Sequence, residues 1–312
     1  MMSFTVCVAL FSAVAMASVY LLDRFMAEET YSRASQPMVI SSAFALLPAP
    51  LLLLCGWQMP PWEAALMAIV GGLVITVANW LYFNIQFSEV RDATEIACYE
   101  SASIVIVITM VGFIHLVFGG FYETIAPHQW LGICIATLGL IFLKVAEGVR
   151  SFVGWKHRIL LVCFMVFGAS YEMLVDRAEH IAGGTALQSF VNVTPFYWVG
   201  MFSGVGLLLL PKERRAFREQ WKGIRSAWKL IVLAEVLALV AFATALYAYA
   251  AGHVALVAML TGCIPIFVLL GEVILRRFGN FSEEVFPKIR MPLRKALVVC
   301  IVVAGAVLAN MQ

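Results

Sequence analysis

Three acidic side chains, Glu100, Glu172 and Glu235, stand well inside apolar stretches of this sequence. An ionisable group in hydrocarbon costs several kcal/mol by most estimates, so each is a candidate for chemistry rather than decoration. A lone carboxylate in such a place can take up and release a proton or hold a cation. Glu100 lies six residues past Thr94, roughly 9 Å into its run, with no Lys or Arg three or four positions away, which makes it the leading titratable group. Glu95 shares a helical face with Tyr99, but it lies four residues after Arg91 and is explained as well by an ion pair or a cap at the membrane boundary. Glu95 and Glu100 are about 140° apart around a helix and do not point into one site. Glu172 is followed four residues on by Asp176, a like charge, with Arg177 adjacent. Glu235 lies six residues beyond Lys229.

Trp80, Tyr99, Tyr171, Trp198 and Tyr247 could stack on an organic cation, and each is equally a packing or interface residue. Asn79, Asn84, Gln188 and Asn192 could be substrate ligands, with interhelical hydrogen bonds as the simpler role. No Lys or Arg is expected in a span interior, so the acids have no fixed positive partner. That balance favours protons and cationic or zwitterionic substrates over phosphates or dicarboxylates. No His-Glu-x-x-His, Gly-x-Ser-x-Gly or Gly-x-Gly-Asp occurs, so no enzyme, cofactor or metal centre is expected.

The elements that must position these residues follow from composition. Of 312 residues, 62% are hydrophobic and 13% charged, with a mean hydropathy of +0.93, outside the soluble range. Apolar runs predict ten spans, namely 4–22, 38–55, 64–87, 94–118, 130–145, 159–175, 185–210, 230–250, 254–274 and 296–309. The fold class expected is an all-α integral membrane protein.

Two sequence matches mark a duplication. Phe-Gly-x-Phe-x-Glu-x-x-x-Pro begins at Phe118 and again at Phe278, 160 residues apart. Leu-x-Asp-Arg ends the first span at Asp23-Arg24 and the sixth at Asp176-Arg177, 153 residues apart. The halves, 1–150 and 156–312, would each hold five spans, an odd number, and so would be inverted relative to one another, as in many secondary transporters. Sorting the basic residues by loop puts 20 of the 21 after odd-numbered spans, Arg177 being the exception. The positive-inside rule then makes those loops cytoplasmic and both termini external, in a cell (inner or plasma) membrane. Within 211–229, Phe217, Trp221, Ile224 and Trp228 recur at helical spacing among basic residues, predicting an amphipathic helix on the cytoplasmic leaflet.

The seven cysteines are odd in number, lack a Cys-x-x-Cys pair and lie in or beside apolar runs, as small buried hydrophobes would. Val6–Ala17 followed by Ser18 has some features of a signal peptide, but no Lys or Arg precedes it, so cleavage is not expected.

Leu81-Tyr82-Phe83, Gly119 to Glu123, Leu131-Gly132 through Leu138-Gly139-Leu140, Ala245-Leu246-Tyr247, Ile264-Pro265-Ile266-Phe267, Gly279 to Glu283 and Gly305, set in this two-fold frame, resemble the EamA-like branch of the drug/metabolite transporter superfamily. Asp23-Arg24 closing the first span is also similar to some members. The resemblance implies a ten-helix exporter or exchanger of small metabolites, with a central cavity lined by helices one to four and six to nine. The chain departs from that pattern at Val105, where the family often has proline, in lacking a first-span tryptophan, and in its charge-based orientation. The function expected is alternating-access transport, with a non-transporting sensor or assembly protein as the alternative. The partners expected are a small-molecule substrate and membrane lipid, with room for a homodimer and none for nucleic acid.

Overall fold

A computed structural model describes residues 2–87, 155–251, 263–278 and 292–309, with isolated positions between 94 and 139. Most of the fourth and fifth predicted spans, most of both Phe-Gly repeat motifs and the residues Glu95, Tyr99 and Glu100 lie outside the described residues.

The described chain is helical throughout. Helix α1 spans Met2–Glu29, α2 Ser35–Phe44, α3 Ala49–Leu54, α4 Trp62–Gln86, α5 Trp155–Ala182, and α6 Ala186–Phe202, which continues as a 3-10 turn over Ser203–Leu209. Then follow α7 Pro211–Ser226, α8 Trp228–Ala251, α9 Ile264–Phe278 and α10 Pro292–Ala309. Lipid offers the backbone no hydrogen-bond partners, so helices are what such runs must form. Among the described residues, six stretches are long and apolar enough to cross a membrane: Cys7–Glu29, Ser35–Leu54, Trp62–Gln86, Ile159–Ala182, Ala186–Leu209 and Trp228–Ala248. They overlie predicted spans one, two, three, six, seven and eight. Their outer faces carry Phe11, Leu54, Leu73, Val162, Val199 and Leu233, all exposed, a belt suited to acyl chains and not to water. The chain is therefore a multi-pass integral membrane protein.

Local signals set the ends. Pro48 separates α2 from α3, and Pro61 stands immediately before α4. At the end of α5, Gly183 takes φ +64° and its N–H reaches the Glu179 carbonyl at 3.1 Å, a left-handed C-cap that glycine makes without strain. Thr185 then caps α6, accepting from the Gln188 N–H at 3.3 Å.

Helix α4 packs most extensively on α5 and α6, and α1 packs on α8. The α4–α6 crossing is glycine to glycine. A Cβ on Gly72 would collide with the Tyr197 carbonyl and lie 2.8 Å from the Gly200 Cα. The Thr76 hydroxyl beside it donates to the Gly72 carbonyl at 2.7 Å and lies 3.2 Å from that of Met201. Gly204, one turn on, faces Ser42 and Met38 of α2 instead, so the Gly-x-x-x-Gly pair serves two neighbours.

Three sequence expectations are corrected. α1 and α5 run past Asp23 and Asp176, the charges at which the predicted spans close, to Glu29 and Ala182, so Asp23, Arg24 and Arg177 lie on helices and not in loops. Arg24 is 2% exposed and pairs with Glu28 at 2.9 Å, a basic residue inside a span where none was expected. A paired charge one turn from a helix end can be buried, and a reading that stops at the first charge cuts the helix short. The cysteines are all free, but Cys7, Cys55, Cys134 and Cys300 are exposed, because an apolar side chain on a bilayer-facing helix need not be buried in protein.

Candidate functional site

Each of four helices turns one face to a shared cavity. From α1 come Met16, Val19, Tyr20 and Asp23, from α4 Ile75, Asn79, Tyr82 and Phe83, from α5 Phe164, Gly168, Tyr171 and Glu172, and from α8 Ala234, Glu235, Ala238 and Phe242. These spacings are the three-and-four rhythm of single helical faces. Ser41 of α2 closes one wall. The volume, about 70 Å³, is room for a few water molecules.

The lining joins three carboxylates, Asp23, Glu172 and Glu235, to aromatic walls, and no Lys or Arg is among the described residues that line it. Asp23 accepts from the Tyr82 hydroxyl at 3.1 Å, and the Gln86 amide donates to the same Tyr82 oxygen at 2.6 Å. Tyr82 is held in place by Tyr20, ring to edge at 5.2 Å, and by Phe164 at 6.2 Å. Glu235 is 6% exposed, stands with Ser41 in the cavity lining, and is close enough to Asp23 for the two to repel when both are ionised. Glu172 faces the buried phenol of Tyr197, whose ring lies 6.2 Å from that of Tyr171.

Tyr31, in the turn between α1 and α2, sits by this group. Burial first, then the Glu235 and Asp23 carboxylates, hold its phenol above the ordinary tyrosine range, so it is neutral around pH 7. It belongs to a second apolar cluster with Met26, Ile40, Ile224 and Ile231, which brings the ends of α1 and α4 together with α7 and the start of α8 at one end of the bundle.

Of the residues expected from sequence to bind substrate or protons, Glu172 and Glu235 thus line one cavity. Trp80 does not; it is 42% exposed on the outer surface of α4. Tyr247 packs edge-on against Phe190 at 6.0 Å, outside the lining. Asn192 serves the opposite end of the bundle, where its side-chain oxygen accepts from the Gln58 N–H at 2.8 Å and from the Gln188 amide at 3.1 Å, and its carbonyl accepts from the Trp57 indole at 3.2 Å. Asn192→Ala should therefore cost about 1–3 kcal/mol of stability through the stranded donors, read as a lower midpoint of thermal unfolding in detergent, with no change in ligand affinity. Glu95, Tyr99 and Glu100 lie outside the described residues.

Sequence reasoning missed Asp23 as a lining residue, having noted it as a mark of the repeat and of the family resemblance, and it missed Tyr20, Ser41 and Tyr31. The spacing Met16, Val19, Tyr20, Asp23 was available as a signal, since it sets an acid and a tyrosine on one face of one helix.

No protein-family model and no curated protein matches the chain. Among solved structures 26 chains match. One of them, described only as "Crystal structure of protein", has a TM-score of 0.55 at 15% identity, covering 98% of this chain and 94% of its own. At that identity the likeness is one of fold, extending over almost the whole length of both chains.

Proposed function

We propose that the chain is a ten-helix secondary transporter, built as two inverted five-helix repeats like the drug/metabolite transporters it resembles, that moves a small cationic or zwitterionic metabolite by alternating access. The observation that carries this reading is the cavity: three carboxylates and a set of tyrosines and phenylalanines converge between helices, and the described lining holds no basic residue. A desolvated acidic site with π faces selects organic cations and rejects anions.

Helix pairing supports the repeat. Under a two-fold relation of the halves the first span corresponds to the sixth and the third to the eighth. The packing of third on sixth, α4 on α5, then has its counterpart in the packing of first on eighth, α1 on α8. The turn after span one, the end of span three at Phe87 and the helix after span seven meet at one end, in keeping with the charge partition that assigns that end to the cytoplasm. Glu100, with Glu95 and Tyr99, stays in the proposal on its sequence position.

The test is uptake into proteoliposomes of a labelled quaternary ammonium compound, a labelled amino acid and a labelled dicarboxylate, each with and without a pH gradient. The expected result is uptake of the first or second and none of the third. Saturable binding without uptake would make the protein a sensor, and chemical conversion of the ligand would make it an enzyme. Glu100→Gln should abolish any response of uptake to the pH gradient; unchanged uptake across pH would remove Glu100 from the mechanism.

A further inference from the structure

Helix α7 has two unlike faces. One is docked on the protein: Ala216 and Ile224 are buried, and Phe217 packs with Met26 and Ile231. The Gln36 amide donates to the Ala216 carbonyl at 3.1 Å, the Gln220 amide donates to the Thr30 carbonyl at 2.9 Å, and Glu213 accepts from the Ser35 hydroxyl. The other face exposes Lys212, Arg214, Arg218, Lys222 and Arg225, with Trp221 among them at 49% exposure. Arg215 is paired within the helix to Glu219 at 2.8 Å.

The position of this helix is fixed by its neighbours. Leu210 alone separates it from the apolar stretch Ala186–Leu209, and Ala227 alone separates it from the stretch Trp228–Ala248. With single-residue links at both ends, α7 can lie only at the boundary of the membrane. Trp221 and Trp228, both half-exposed, mark the headgroup level.

We propose that the outer face of α7 is a binding surface for the headgroups of anionic phospholipids in the leaflet it lies on. A topology signal would need only the charges. Here they are set on a rigid helix held by hydrogen bonds to the α1–α2 turn, beside tryptophans at the depth of the headgroups, so little ordering entropy is lost when lipid phosphates bind. The surface owes nothing to the transport reading.

The test places the protein in phosphatidylcholine nanodiscs doped with spin-labelled phosphatidylglycerol or spin-labelled phosphatidylcholine, and reads the fraction of each label restricted by the protein. Each basic side chain near the surface is worth about fivefold in attraction. The unmodified protein should prefer phosphatidylglycerol by on the order of tenfold, and the preference should collapse at high salt, where the Debye length is about 3 Å. The combined variant R214Q/R218Q/K222Q/R225Q should show almost no preference, and R214K/R218K/R225K should keep it. Equal restriction of the two labels in the unmodified protein, or a preference that survives either high salt or the glutamine variant, overturns the proposal. The salt titration needs no variant, so a folding defect cannot leave the question open.

Discussion

Proteoliposomes carrying Glu235→Gln should lose cation uptake by roughly thirtyfold or more while the protein itself becomes no less stable. Glutamine has the shape of glutamate and fills the same place in the wall beside Ser41, so the packing of α8 survives. What disappears is the carboxylate that would pair with a cation bound in the cavity, and removing one partner of such a buried charge pair costs about 2–5 kcal/mol. In the empty protein the same change replaces a buried carboxyl with an uncharged amide of the same shape, so the unfolding midpoint should not fall. The combination is diagnostic: a purely structural carboxylate would lose stability along with activity. Uptake at the unmodified rate would remove Glu235 from the site and take with it the acidic-cavity argument for a cationic substrate.

The second large effect concerns packing. Gly200→Leu should prevent α4 and α6 from meeting and leave little folded protein in the membrane. At Gly200 an added Cβ would already strike the Ile69 carbonyl and lie 2.8 Å from the Gly72 Cα, and both obstacles are backbone, which cannot step aside. Overpacking costs about 1–3 kcal/mol where side chains can shift, and more where they cannot. Gly206→Leu provides the control, since nothing lies within 4 Å of a Cβ placed there. Folding yield, scored by size-exclusion chromatography in detergent, should fall severely for the first and hardly at all for the second.

How much of this was legible beforehand depended on the kind of residue. Glu172 and Glu235 stood out because a charge within an apolar run is expensive wherever it points, and depth along the helix can be counted. Direction around the helix cannot be counted without a partner, which is why Trp80 could be read as a cation-stacking residue although it faces outward. Asn192 shows the same limit: a polar amide in a span must bond to something, and here the something is the Trp57–Gln58 turn. Asp23 and Arg24 escaped for another reason. A hydropathy reading ends a span at the first charge, whereas α1 runs on to Glu29 because Arg24 and Glu28, one turn apart, satisfy each other. The amphipathic helix at 211–226 was evident from its period. That it is docked on the α1–α2 turn and the start of α2 was not, because Gln36 and Gln220 carry no signal of their partners in sequence.

The glycine crossing bears on movement as well as on folding. In the proposed repeat Gly72 belongs to one half and Gly200 to the other, and their backbones touch, with the Thr76 hydroxyl 3.2 Å from the Met201 carbonyl at the same level. Two bodies joined by so short a bridge cannot slide past each other there; they can only turn about it. In the proposed alternating-access cycle the crossing would be the fulcrum, with displacement growing with distance from it. Along α4 the cavity lining runs from Ile75, about 4.5 Å from Gly72 at a helical rise, to Tyr82, about 15 Å away, so a turn about the crossing would move the Tyr82 end of the cavity several times further than the Ile75 end.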